Sequence, residues 1–365
     1  MDLSALKDYL CSIPETWQVP ACAMTVHIGR ETVFDERIGT KAQEVYWLYS
    51  ATKLFTAVMF CRLLEQSKLH LEDRVSDYLP EYAALTIRDR EGDLHPAKNP
   101  LLLEHLISMC GGLTYNISDP LITEAEDRST RGIVRRISRM PLVGEPGETY
   151  EYSLCHDVLA AVMEIVTGKR YAELLQQEII GPLGMTRTAF HPSPSLAQEF
   201  APQYRWKGLR HSPVPCTGNM FCFSDDYDSG GAGLCSTLED YILLPEALAN
   251  GGRGRDGYPL LRQETIELMR ENHIYGHRLD GFTLRWGRLR SYGYGLGVRT
   301  RLDQSDGSLA PVGEFGWDGA AGAYCIIDPT NHLSAFYIQH VLEMGPVFDE
   351  IHPKLRDLLY LGLHQ

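Results

Sequence analysis

A serine and a lysine three residues apart could supply a nucleophile and a group that accepts its proton. The spacing of Ser50 and Lys53 places both side chains on one face of a helix, about 5–6 Å apart at Cβ. The amine could take the serine proton if burial or a neighbouring cation lowered its pKa. The spacing alone is weak evidence, because Ser4 and Lys7 repeat it near the start of the chain.

A tyrosine offers a second proton acceptor. Tyr152 follows a Gly-Glu-Pro-Gly turn and precedes a predicted helix. A phenol beside a lysine ammonium can lose its proton, so Lys53 and Tyr152 could act as one shared base for Ser50. The alternative is that Tyr152 is a half-buried aromatic whose hydroxyl bonds a backbone carbonyl.

The third candidate is a run of small residues from Gly316 to Gly322, between predicted strands. Small residues let the backbone come close to a ligand, and an N–H group there could donate to an oxyanion together with the N–H of Ser50. The alternative is a glycine-rich strand edge or bulge.

In this order the three segments resemble the serine β-lactamase and penicillin-binding-protein superfamily, and within it the class C β-lactamases and the family VIII carboxylesterases. Matching stretches elsewhere in the chain are 101–108, 111–113, 182–185 and 230–240. The resemblance implies catalytic Ser50, Lys53 and Tyr152, an oxyanion hole of the Ser50 and Ala320 N–H groups, and substrate contacts from Trp317, Asp318 and Gly319.

Two positions depart from the lactamase and peptidase pattern. Leu154 stands where those enzymes usually have Asn, and Trp317 stands where they have Lys or His. Both residues are similar to the esterase pattern, although the esterases have Gly at the position of Asp318. If it faces the pocket, Asp318 would oppose a substrate carboxylate or bind the ammonium of a D-aminoacyl substrate. Alternatively, it pairs with an arginine outside the pocket.

The elements that must position these segments differ between the chain ends and the middle. Apolar spacing predicts an N-terminal helix that Pro14 ends, a hairpin that turns at Gly29 and a buried helix over 51–64. Towards the C-terminus we expect an antiparallel meander that begins with one strand over 292–301, and then a final helix.

These elements predict an α/β fold of the α+β type. An antiparallel sheet formed by both chain ends and flanked by helices would carry an inserted, mainly helical domain, as in the β-lactamase/transpeptidase fold. We expect residues 1–69 and 236–365 to form the sheet domain, residues 70–235 to form the helical domain, and the active site to lie between them.

Composition narrows the possible partners and compartments. The 34 Lys and Arg against 48 Asp and Glu give a net charge of −14, which disfavours nucleic acid and anionic membranes. The nine cysteines include no Cys-x-x-Cys pair and indicate reduced, mostly buried thiols. Because the sequence shows no pattern of a secretory or membrane-spanning segment, we expect a cytoplasmic protein. The sequence implies no metal and no organic cofactor, and it leaves the oligomeric state open.

The sequence therefore predicts a serine hydrolase that cleaves a small ester through an acyl-enzyme, with a small-molecule acyl substrate as its partner. A β-lactamase or a D-amino-acid peptidase or amidase of the same superfamily is the alternative within enzymes. From another class, a non-catalytic, penicillin-binding-like protein would keep the pocket only to bind a ligand.

Overall fold

Strands from the N-terminal and the C-terminal parts of the chain form the central sheet. The structure is a computed structural model that describes residues 1–89 and 91–365. The α-helices are α1 Ser4–Trp17, α2 Lys53–Glu65, α3 Val75–Tyr78, α4 Leu103–Ile107, α5 Pro120–Thr123, α6 Thr130–Ile137, α7 Cys155–Thr167, α8 Tyr171–Leu175, α9 Pro194–Ala197, α10 Leu238–Tyr241, α11 Leu243–Ala249, α12 Gln263–Arg270, α13 His277–Arg285 and α14 His352–Leu363. The strands are β1 Cys22–Ile28, β2 Glu31–Ile38, β3 Tyr46–Trp47, β4 Thr86–Arg88, β5 Leu94–Pro96, β6 Gln203–Arg205, β7 Val214–Cys216, β8 Cys235–Ser236, β9 Tyr292–Tyr294, β10 Arg299–Arg301, β11 Phe315–Gly316, β12 Tyr324–Asp328, β13 Leu333–Gln339 and β14 Val341–Leu342.

The seven-stranded sheet has the order β2-β1-β13-β12-β11-β10-β9, and each neighbouring pair is antiparallel. The interior strand β13 joins the N-terminal hairpin to the C-terminal strands, since Cys22 of β1 pairs with Gln339 and Ile28 with Leu333. Both β1 and β13 are buried on both faces, which is why their sequences read as nearly continuous apolar runs. The predicted fold class is confirmed.

Helices cover both faces of the sheet. α1 and α14 pack on one face in a core with residues such as Leu10, Tyr337 and Leu359. α10 and α11 pack on the other face, and beyond them lies the larger core that surrounds α2 and α7. α2 is mostly apolar and is buried along most of its length, as expected for a helix inside a large protein.

Three local predictions need correction. α1 runs through Pro14 to Trp17, and the Leu10 carbonyl that a proline cannot satisfy faces the Cys22 thiol at 3.9 Å. The strand expected over 292–301 is two strands, β9 and β10, joined by a turn in which Gly297 has a φ of 79°. Ser50 lies in a 3₁₀ turn, Tyr49–Thr52, just before α2 rather than in the first turn of α2.

The boundaries of the two expected domains, at 69/70 and 235/236, stay a prediction. The nine cysteines are free, and most of them are buried, as expected. In the part of the chain that the structure describes, no helix combines the length and the apolar character needed to cross a bilayer.

Candidate active site

The candidate nucleophile sits on a strained turn. Tyr49, immediately before Ser50, has a φ of 48°, a left-handed conformation that a side chain other than glycine adopts at some cost. The surroundings hold Tyr49 in place, because the residue is buried and its hydroxyl donates to Gln203 Oε1 at 3.0 Å. This turn places Ser50 in the wall of a cavity.

Lys53 reaches Ser50 from the first turn of α2. Its Nζ donates to Ser50 Oγ at 3.3 Å and to the Gly231 carbonyl at 2.8 Å, and the side chain is completely buried. The ammonium also lies 4.7 Å from the centre of the Tyr152 ring. A Cβ at Gly231 would come within 2.7 Å of a carboxylate oxygen of Asp157, so a larger residue there would force that carboxylate to shift.

The charge on Lys53 differs from the sequence expectation. Burial alone would lower the pKa of the Lys53 ammonium, but the Tyr115 and Tyr152 phenols and the Asp157 carboxylate outweigh burial and raise that pKa above its ordinary value. The lowered pKa that would let Lys53 accept the serine proton is therefore not found. The raised pKa favours the ammonium form of Lys53, which is suited to stabilising negative charge on a neighbouring oxygen.

Tyr152 stands in an aromatic cage. Tyr115 stacks on its ring at 5.5 Å, and Trp286 meets it edge-on at 5.3 Å. The Trp317 indole N–H donates to the Tyr152 hydroxyl oxygen at 3.0 Å. In place of the backbone carbonyl considered from the sequence, the hydroxyl therefore has an indole donor on one side, and the Lys53 ammonium lies over the ring.

The run after β11 supplies backbone donors. The N–H groups of Ser50 and Ala320 have no acceptor within residues 1–89 and 91–365, and both residues line the cavity. Gly319 allows the run to approach the Ser50 turn, because a Cβ there would lie 2.3 Å from the Leu48 carbonyl oxygen. Two free N–H groups at one cavity wall can stabilise an oxyanion.

Asp318 faces the cavity and is paired with two arginines. Its Oδ1 accepts from Arg299 at 3.0 Å, and its Oδ2 accepts from Arg288 at 3.3 Å. The carboxylate is thus not the uncompensated charge that would oppose a substrate carboxylate. The arginine partner considered from the sequence is present, but one of the two arginines lies inside the pocket rather than outside it.

The cavity has a volume of about 450 Å³, a size that suits a small organic molecule. Its lining is mostly apolar and consists of Ser50, Tyr152, Trp286, Arg288, Trp317, Asp318, Gly319, Ala320, Glu343, Met344, Gly345 and Phe348. A larger and more open groove, of about 570 Å³, lies between α12 and β10 and contains none of the predicted site residues.

Sequence reasoning missed several of these residues. Tyr115 stacks on Tyr152, and the sequence offers no motif that singles it out. Trp286, Arg288 and Phe348 come from segments without a period or a recognisable spacing. In the described part of the chain, no group of three or more His, Cys, Asp and Glu side chains could hold a metal ion.

The chain is similar to known enzymes along most of its length. A lovastatin esterase from Penicillium rubens is 27% identical over 363 residues, covering 91% of this chain and 89% of its own. An Escherichia coli K12 protein with the provisional name D-alanyl-D-alanine carboxypeptidase is 28% identical over 314 residues, covering 80% of this chain and 67% of its own.

The fold matches a solved hydrolase. The structure of EstCE1, a hydrolase with promiscuous acyltransferase activity, superposes with a TM-score of 0.81 at 22% identity and covers 98% of both chains. The sequence model of the Beta-lactamase family, whose members are generally serine hydrolases, matches residues 7–358. The chain therefore belongs to the Beta-lactamase family.

Proposed function

We propose that this protein is a serine carboxylesterase that cleaves small esters through an acyl-enzyme on Ser50. One observation carries the proposal: the Ser50 hydroxyl, in the wall of a mostly apolar cavity, accepts a hydrogen bond from a fully buried lysine that also lies over the Tyr152 ring. A lysine buried without a carboxylate on its Nζ is costly to maintain, and stabilising negative charge on a neighbouring oxygen is a use that repays this cost.

In the acylation step Ser50 Oγ attacks the ester carbonyl while the Tyr152 oxygen accepts the serine proton. The Lys53 ammonium, over the Tyr152 ring, and the Trp317 N–H are placed to stabilise negative charge on the Tyr152 oxygen, which this step requires. The backbone N–H groups of Ser50 and Ala320 hold the carbonyl oxygen as it becomes an oxyanion. The bond from the carbonyl carbon to the leaving oxygen then breaks, and Tyr152 returns the proton to the departing alcohol.

Deacylation runs through the same groups. A water molecule attacks the acyl carbon, Tyr152 accepts a proton from that water, and the bond to Ser50 Oγ breaks. Tyr152 then returns the proton to Ser50, and the acid product leaves. Each step conserves protons without a metal hydroxide, because the tyrosine accepts and releases one proton per half-reaction.

The preference for esters rests on what the cavity lacks. Leu154, at the position of the usual asparagine, is fully buried, and the indole N–H of Trp317 is bonded to Tyr152. Neither residue offers the polar contact that a β-lactam or peptide amide would use. The lovastatin esterase among the relatives supports the same reaction class.

A panel of short-chain 4-nitrophenyl esters, D-alanyl anilides and cephalosporins, assayed with the purified protein, tests this proposal. We expect at least one ester to be turned over with a higher kcat/KM than any amide or cephalosporin. A cephalosporin with a higher kcat/KM than every ester would contradict the esterase proposal and leave a β-lactamase.

The second candidate is a D-aminoacyl peptidase or amidase, which the provisionally named carboxypeptidase relative favours. In that case a D-alanyl anilide would be the best substrate in the same panel. A non-catalytic binding protein would turn over none of the three classes.

A further inference from the structure

One cation in the cavity has no part in the proposed reaction. Arg288 lies in a short 3₁₀ turn, Gly287–Leu289, that follows α13 and lines the cavity that contains Ser50. Its guanidinium carbon is 4.8 Å from the centre of the Trp286 ring and 5.0 Å from that of Phe348. A guanidinium held against two aromatic rings loses little further freedom when it binds a ligand.

The hydrogen bonds of this guanidinium are mostly unused. Within the described residues, Asp318 Oδ2, at 3.3 Å, is the one acceptor for its N–H groups. A guanidinium carries five N–H donors, so most of those on Arg288 are left for a ligand. The side chain is only 18% exposed, which keeps these donors inside the cavity rather than in bulk water.

The carboxylates nearby use only one of these donors. Asp318 is shared with Arg299, a fully buried arginine whose guanidinium lies 3.0 Å from the other carboxylate oxygen. Glu343, the second acidic residue of the lining, is hydrogen-bonded to Arg205. Asp318 therefore fixes the orientation of Arg288 between the rings without occupying its remaining donors.

We propose that Arg288 selects the substrate by binding a carboxylate on an ester whose remaining body is apolar. A guanidinium matches a carboxylate with two parallel hydrogen bonds, and Trp286, Met344 and Phe348 provide apolar surface for a hydrocarbon or aromatic segment. This inference rests on the proposed esterase activity and adds the substrate class: an ester of an apolar molecule that carries a free acid group away from the reacting carbonyl.

Matched ester pairs test the proposal. On the acyl side the pair is mono-4-nitrophenyl glutarate and its methyl ester, and on the alcohol side it is 4-acetoxybenzoate and its methyl ester. We expect the acid of at least one pair to have a kcat/KM about tenfold or more above that of its methyl ester, as charge-assisted hydrogen bonds provide. Arg288→Gln should remove the preference for the acid over its methyl ester, and Arg288→Lys should retain part of that preference.

Arg290→Gln is the matched control. It removes the same charge two residues away, from an exposed side chain that does not line the cavity, and should leave the ratio unchanged. A wild-type ratio at or below one in both pairs would overturn the proposal. So would an Arg288→Gln variant that retains the wild-type ratio.

A binding measurement separates this inference from the esterase proposal. In calorimetric titrations of the wild-type protein, 4-phenylbutyrate should bind at least tenfold more tightly than 4-phenylbutyramide, whether or not any ester is hydrolysed. Equal affinities would contradict the role of Arg288 even if neutral esters are good substrates. Absence of ester turnover together with selective binding of the acid would contradict only the esterase proposal.

Discussion

The chain contains the Ser-x-x-Lys spacing twice, and the two copies have opposite surroundings. At Ser4 and Lys7, in α1, the serine hydroxyl donates to Asp2 at 2.6 Å and the lysine pairs with Glu36 at 2.5 Å. The Lys7 side chain is 54% exposed. At Ser50 and Lys53 the lysine is fully buried, and its hydrogen-bond partners are a hydroxyl and a carbonyl.

This difference shows that the Ser-x-x-Lys spacing alone does not determine the electrostatic surroundings of the serine. Both copies lie in helical turns that can bring a hydroxyl and an amine to one face. In the exposed copy a carboxylate neutralises the ammonium and water screens it, so its field does not act on the serine. In the buried copy the field of Lys53 is screened much less and acts on the oxygens of Ser50 and Tyr152.

The largest expected loss of activity is that of replacing Ser50, with Ser4 as the comparison. A fluorophosphonate should label the wild-type protein on Ser50, and Ser50→Ala should lose the label and at least about 10³-fold in ester turnover. Ser4→Ala should keep both. Peptide mass spectrometry locates the adduct, and an adduct on Ser4 or Ser153 would remove the proposed distinction between the copies.

Replacing Lys53 or Tyr152 should give the next largest effect. Lys53→Ala and Tyr152→Phe should each lower kcat by at least about 10²-fold, because each removes part of one proton-transfer unit. The double variant should fall by much less than the product of the two single losses. Turnover of 4-nitrophenyl esters is the measurement, with thermal unfolding to verify the fold.

Lys7→Ala is the matched control for Lys53→Ala. Because Lys7 forms a surface pair, its loss should change neither kcat nor the melting temperature measurably.

Unchanged turnover in Tyr152→Phe would leave the tyrosine as a packing residue. Equal losses in Lys7→Ala and Lys53→Ala would show that the buried copy has no special chemistry.

Trp317 gives the smallest expected effect and sharpens the comparison, because the exposed copy has no counterpart of this indole. Trp317→Phe keeps an aromatic ring against Tyr152 but removes the N–H that donates to its oxygen. We expect a loss of about tenfold in kcat, the scale of one hydrogen bond to a charged group. A kcat equal to that of the wild type would mean that the indole only packs.

The family and the fold class were both predictable from the sequence, because ordered motifs and strand-rich chain ends survive in the linear pattern. The structure brings Ser50, Lys53 and Tyr152 together, while their catalytic roles stay a prediction. The direction of the Lys53 pKa shift was not predictable, because it depends on Tyr115 and Asp157, which are distant in sequence.

Local irregularities could not be predicted from the sequence for a related reason. Whether Pro14 ends α1 depends on an acceptor at Leu10 that faces a cysteine of the next strand, and no helix rule contains that contact. Arg288 and Phe348 enter the cavity from two separate segments, so their meeting is a property of the fold and not of either sequence.

The pairing of β1 with β13 also governs when the protein can form during its synthesis. About 300 residues separate the end of β1 at Ile28 from the start of β13 at Leu333. At about 5–20 residues per second, the ribosome needs roughly 15–60 s to supply that partner. Throughout this interval one edge of β1 lacks its native neighbour, and the nascent chain carries Ser50 and Lys53 before the wall containing Trp317 and Phe348 has emerged. Because an unpaired strand edge can pair with another chain, β1 is a potential site of misassembly for most of the time that synthesis takes.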